Sequence, residues 1–289
     1  MPRMGRSSRW LFLVSVITVA VLIGWGGPRM VSAGPTDDGI VLAPHRAIYD
    51  LKLADSRQKR SLESVRGRIL YDFSGSACEG YALKFRQVTE LDSGEGKVAI
   101  SDLRSTTWED GSAKAFRFNS ENFLNQEEAE AVDGLGERRS DGVAVSLTRP
   151  QRKKFDVGNV VFPTEHMRRI IAAARAGQTL LEVSVYDGSE TGEKVYQSLS
   201  VIGGRIAPDA PKPADLAPGE AALSGQARWP VTVSYFDKDA HGGEQTPVYA
   251  IAFEVYENGV SRALKLDYGD FAVSGDLTNL EMKDVKPCH

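Results

Sequence analysis

The stretch 162-FPTEHMRRIIAAARAG-177 decides the fold, because the spacing turns convincingly helical here while most of the chain alternates at period two. Met167, Ile170, Ile171 and Ala174 sit at i, i+3, i+4 and i+7, one stripe of a 3.6-residue helix, and Arg168, Arg169 and Arg175 fall largely outside it. Pro163 marks the start, Thr164 is placed to cap the first free amides, and Glu165 suits the helix dipole. Gly177 is placed to end the helix in the left-handed conformation. A helix this short is marginal alone in water, so it must lie against something apolar. The strand-rich remainder is the candidate partner. The spacing therefore predicts a mainly β fold: a many-stranded antiparallel sheet, a spiral or open curled barrel, around one amphipathic helix. The stripe reads first as core. If the helix shares a lumen with a ligand, Met167, Ile170 and Ile171 are the lining candidates.

Outward from the helix, the alternation predicts strands at 47–53, 65–73, 81–91, 98–109, 115–119, 126–132 and 143–148 before it, and at 179–186, 194–202, 229–237, 247–257, 260–268 and 271–280 after it. Asp110-Gly111, Asp133-Gly134, Asp141-Gly142 and, most strongly, Asn258-Gly259 read as hairpin turns. Arg152-Lys153-Lys154 reads as a solvated turn. The Pro-rich stretch 207-APDAPKPADLAP-218 reads as an excursion within one domain rather than a linker, since the strand pattern is alike on both sides.

The first 33 residues stand apart. Arg3, Arg6 and Arg9 precede the apolar run Trp10–Trp25, and Val31-Ser32-Ala33 offers small residues for cleavage, the pattern of a secretory signal peptide. The run is short for a membrane span, which needs roughly 20 apolar residues. Export to the periplasm follows, with one domain over 34–289 and no stable span after cleavage. Losing Arg3, Arg6, Arg9 and Arg29 takes the formal charge from −4 to −8, which argues against nucleic acid or an anionic membrane surface as main partner. In an oxidising compartment the two cysteines, Cys78 and Cys288, read as one bridge worth about 5 kcal/mol in the chain-entropy model. A reactive thiol beside His289 is the competing reading.

Five segments occur in an order that resembles a known family: APHRAIYDL (43–51), GSACEGYALKFR (75–86), TTWEDG (106–111) with FRF (116–118), the helix stretch itself, and VYDGSETGEKVYQSLSVIG (185–203). They are similar to the periplasmic envelope-integrity proteins of the EipB type, found in alphaproteobacteria and long catalogued as a domain of unknown function. The resemblance implies a β-spiral with one helix, a bridge matching Cys78 and Cys288, and an envelope-stabilising role without known catalysis. It also implies a likeness to lipoprotein carriers and a link to periplasmic tetratricopeptide-repeat proteins.

The residues themselves carry little catalytic chemistry. His45, His166, His241 and His289 form no H-x-x-x-H pair and no metal site, and no G-x-S-x-G is present. His166 reads as a capping or solvated histidine, with a lumen-facing position as the alternative. Asp187-x-Ser189-x-Thr191-Gly192 opens like a calcium loop, but Ser198 stands where the bidentate glutamate belongs, so it reads as a turn. Neighbours such as Glu109/Asp110 and Glu127/Glu128 point to opposite faces of a strand and make no acid–base pair. No cofactor fingerprint is found. The expectation is a non-enzymatic envelope protein that binds a lipid, a lipoprotein or an envelope protein. A pure interaction module partnering a tetratricopeptide-repeat protein is the alternative, and a hydrolase of envelope polymers the third reading.

Overall fold

A computed structural model describes residues 39–57, 62–94, 96–211, 217–238 and 246–284. The stretch read as a signal peptide and Cys288 lie outside these residues, and so does the pairing expected of Cys78. The strands before the helix are β1 (His45–Ser56), β2 (Ser64–Ser76), β3 (Gly80–Asp92), β4 (Val98–Glu109), β5 (Ala115–Leu124), β6 (Glu127–Arg139), β7 (Gly142–Arg149) and β8 (Lys153–Asp156). Helix α1 spans Pro163–Arg175. After it come β9 (Leu180–Val185), β10 (Tyr196–Ile202), β11 (Arg228–Asp237), β12 (Tyr249–Tyr256), β13 (Ser261–Asp267) and β14 (Phe271–Met282).

All fourteen described strands form one antiparallel sheet in the order β8-β7-β6-β5-β4-β3-β2-β1-β14-β13-β12-β11-β10-β9. Each half is a meander, and the two meanders join because β1 pairs with β14, with Ala47 opposite Leu280 and Leu51 opposite Gly275. The edges β8 and β9 do not pair with each other, so the sheet curls without closing. Helix α1 occupies the connection between those two edges. A strap that continues β8 towards the helix pairs with β7 and then reaches β9 at one end: Val157 N–H donates to Val143 O at 3.0 Å, and Val161 N–H donates to Ser184 O at 2.8 Å.

Alternation places Tyr49, Leu51, Ile69, Phe73 and Tyr81 inside, in the buried core. Charged partners face out across the strands, including Arg68–Asp50 at 2.7 Å and Arg86–Asp102 at 2.9 Å. Exposed pairs of this kind contribute about 1 kcal/mol at most, so the inner face holds the sheet. Ile170 and Ile171 are 2% and 0% exposed and pack against Leu181, Ile202, Trp229, Val231 and Val255. Burial of each isoleucine contributes about 1.5–3 kcal/mol.

Several expectations are corrected. Thr164 is not the cap: the N-cap is Phe162, with Pro163 in the first turn and no side-chain cap of its own. Glu109, at the end of β4, reaches the amides instead. Its Oε2 accepts from Thr164 N–H at 2.7 Å and its Oε1 from Glu165 N–H at 2.8 Å. At the other end Gly177 takes φ +72°, Gln178 N–H donates to Ala173 O and Gly177 N–H donates to Ala174 O, the paired bonds of a glycine C-terminal motif. Asp133-Gly134 is not a turn but lies inside β6, where the register slips. A glycine is needed there for space, since a Cβ on Gly134 would stand 2.5 Å from the Phe118 ring. Lys153 and Lys154 belong to β8, too short a strand to show a period, and their charges sit exposed at a sheet edge. The strands β10 and β11 that flank the Pro-rich segment pair directly, with Val201 opposite Thr232. The chain between them returns through a 3-10 turn, Glu220–Leu223, beside β14, where Leu280 N–H donates to Pro218 O at 2.9 Å.

Candidate functional site

Two adjoining cavities lie inside the curl. The first, about 260 Å³, is walled by Phe73, Leu83, Ile170, Val233, Tyr235 and His166 among others. The second, about 200 Å³, is walled by Tyr49, Ile69, Phe85, Tyr249, Leu264 and Leu266 among others. They share His45, Tyr71, Met167, Ile251, Phe253 and Gly259, so the Met167 thioether stands where the lobes meet. An unbranched thioether fits irregular apolar space and repacks easily, so this part of the wall can adjust its shape. The lining is that of a small-molecule pocket, mostly apolar and aromatic with few polar groups.

A row of aromatic rings runs from the cavity wall out to the β13–β14 turn. Tyr235 stacks on Tyr249 at 6.1 Å, Tyr249 tilts against Tyr268 at 5.3 Å, and Tyr268 stacks on Phe271 at 5.0 Å. Facing them, His45 stacks on Tyr71 at 5.4 Å. Gln87 Nε2 donates to Tyr268 Oη at 3.4 Å, linking β3 to the β13–β14 turn.

The polar groups here are few, and burial disfavours their charged forms. Burial is the main cause that lowers His45, against a hydrogen bond from its Nδ1–H to Ala43 O at 2.8 Å. Burial, then the nearby Arg169 cation, lowers His166 to about 4. Its Nε2 shares a hydrogen bond with Ser198 Oγ at 3.2 Å. Burial likewise raises the Asp187 carboxyl, which accepts from Ser189 N–H at 2.9 Å in its own turn.

His166 yields a pH prediction. A histidine lowered on folding binds its proton less tightly in the fold than in the unfolded chain. The fold therefore keeps this contribution above about pH 6.5 and loses it as pH falls towards 4. His166→Gln removes the titration while retaining a side chain that can bond Ser198. The stability of the wild type relative to the variant should fall by about 3 kcal/mol across that window, read from urea midpoints. Parallel pH profiles would contradict the buried, neutral imidazole.

A charged frame fixes the helix over the lumen. Glu165 pairs with Arg138 at 2.7 Å and with Arg169 at 2.6 Å. Arg138 also donates to Ala113 O and Val160 O and lies over the Phe162 ring at 5.0 Å. Buried Arg168 donates to Gly111 O at 3.1 Å. Glu109 is 1% exposed, and burial pushes its carboxyl up to about 7 against the pull of the two amides it accepts from. A carboxylate at a helix start opposes the positive end of the dipole. These contacts serve position rather than chemistry.

Among the lining candidates, Met167 and Ile170 reach the cavity wall. Ile171 does not: it is fully buried, one residue further round the helix, and packs into the core. His166 is neither a cap nor solvated but 4% exposed and on the wall, which overturns the favoured reading. Sequence reasoning missed His45, Tyr71, Tyr235 and Phe253. Their inward parity was legible in the alternation, but their convergence depends on the curl. Ser198 beside His166 suggests a nucleophile pair, yet Ser198 is 2% exposed and sealed beneath the helix. Cys78 sits in the turn between β2 and β3. Among the described residues no group of three or more metal-ligating side chains occurs, and no helix is long and apolar enough to cross a membrane.

Comparison with known proteins gives consistent results. A family model described as EipB-like matches residues 36–284. A curated relative from Brucella abortus (strain 2308), named cell envelope integrity protein EipB, is 35% identical over 277 residues, 96% of each chain. A solved structure from Brucella abortus, described as a beta-barrel-like protein of a domain of unknown function, superposes with a TM-score of 0.77 at 37% identity. It covers 84% of this chain and 99% of its own.

Proposed function

The chain belongs to the EipB-like family, and from that premise we propose that it supports the integrity of the cell envelope as a non-enzymatic periplasmic protein. It does so by holding an apolar group, an acyl chain of a lipid or lipoprotein, in the lumen beneath α1. The observation that carries this reading is the pair of adjoining lobes walled by aromatic and aliphatic side chains and joined at Met167. A core packed for stability alone closes on itself and leaves few voids larger than a water molecule. The name of the Brucella relative supports the envelope role, and the signal-peptide pattern of the N-terminus supports the periplasmic compartment.

A second reading rests on the edges β8 and β9, where an extended segment of a protein partner such as a periplasmic tetratricopeptide-repeat protein could add to the sheet. Exposed Lys153 and Lys154 on β8 and Glu182 on β9 are charges of the kind that guard an edge against such pairing, which favours the lumen. Native mass spectrometry of protein taken from the envelope fraction of its own cells tests the proposal. An adduct that releases an acyl-bearing lipid on extraction is expected. Apo mass alone, with a protein crosslinked at β8 or β9, would favour the edge.

A further inference from the structure

The lining of the lumen also bears on the form in which an acyl group enters. Among the described residues, no lysine or arginine lines either lobe. The ionisable groups that do are His45, His166, Asp187 and the tyrosines. Cations close by are committed elsewhere: Arg169 pairs with Glu165 at 2.6 Å, and the Lys283 ammonium pairs with the Asp72 carboxylate. A carboxylate or phosphate carried into the first lobe would meet apolar walls and the Asp187 carboxyl, and no partner of opposite charge. An ion desolvated without a partner costs several kcal/mol. An ester or amide carbonyl needs only a hydrogen-bond donor, and the hydroxyls of Thr107, Tyr71 and Tyr235 are present on the wall.

We infer that the lumen takes a long-chain acyl group as an uncharged ester or amide and rejects the free fatty-acid anion. The inference rests on the lumen reading above and goes beyond it in naming the chemical class. The conjugated form is the chemistry shared by glycerolipids and acylated proteins.

The test is displacement of the neutral fluorophore N-phenyl-1-naphthylamine from the full chain by methyl palmitate and by palmitate, at about pH 7.5 and below micelle formation. The ester should displace the fluorophore at concentrations about tenfold or more below those of the anion. The gap should narrow as the pH is lowered to about 5 and palmitate gains its proton. Equal potency at the higher pH, or stronger displacement by palmitate, overturns the inference and leaves the lumen reading standing. Failure of the fluorophore to bind, or displacement by neither compound, overturns the lumen reading itself. Monopalmitoylglycerol and an N-palmitoylated peptide in the same titration tell the lipid source from the protein one. Displacement by at least one supports the inference, and displacement by neither counts against it.

Discussion

Truncation of Phe162 to alanine is expected to destabilise the fold by about 3–5 kcal/mol, and so to lower the melting temperature by about 10 °C for a domain of this size. Phe162 is 0% exposed and stacks on Phe116 at 5.2 Å, with the Arg138 guanidinium 5.0 Å from its ring. Its carbonyl accepts the first helical hydrogen bond, from His166 N–H at 2.8 Å. The residue therefore belongs at once to the strap that runs from β8 to β9 and to the start of the helix. A void there loosens both. Phe155→Ala is the control, since Phe155 is half-buried on the edge strand β8 and should cost about 1 kcal/mol. Thermal melts of the two variants check the contrast, and equal losses would contradict the pinning role of Phe162.

The second large effect concerns the segment that follows the Pro-rich stretch. Glu220 is 2% exposed and accepts from Ala217 N–H at 3.0 Å and from the Tyr256 hydroxyl at 3.2 Å. It also stands 2.8 Å from the guanidinium of Arg262, itself 6% exposed. This one carboxylate ties the returning chain to β12 and β13. Glu220→Ala takes the 2.8 Å counter-charge from a buried cation and frees two donors, a class of change that costs about 3–5 kcal/mol. Arg262 keeps a distant partner in Glu254 at 3.5 Å, which holds the loss towards the lower end. The exposed pair Arg149–Glu128 gives the comparison: Glu128→Ala should change stability by less than about 1 kcal/mol. Urea midpoints at unchanged slope measure both. A loss below about 1 kcal/mol for Glu220→Ala would remove the tether from the account.

The sequence made some of this legible and hid the rest for identifiable reasons. Period-two alternation records which face a strand buries, so Tyr49, Phe73 and Tyr81 could be placed inside before any partner was known. The helix stripe and the Gly177 stop are local signals of the same kind. The Asn258-Gly259 hairpin joins β12 to β13 as its residues dictate. Partners far apart in sequence leave no such trace. Glu109 caps a helix more than fifty residues away, and nothing near Thr164 announces it. His166 reads locally as a cap or a solvated side chain, whereas the neighbouring arginines are drawn to Glu165 and Gly111 and leave the imidazole facing inward. Asp133-Gly134 carries the letters of a turn, but packing against Phe118 and Leu147 sets its place in the strand. A lumen was the alternative to a solid core, with Met167, Ile170 and Ile171 as lining candidates and His166 facing it. His45 and the tyrosines were not foreseen, because convergence on one cavity is a property of the whole sheet.

The account stands on the claim that the space beneath α1 is a binding site. The most direct measurement is the lipid load of protein from its own envelope, compared with a Met167→Trp variant that fills the junction between the lobes while α1 and the sheet stay folded. The wild type should carry an acyl-bearing lipid by native mass spectrometry, and the variant should lose most of it. An empty wild type, or the same load in both proteins, would contradict the claim.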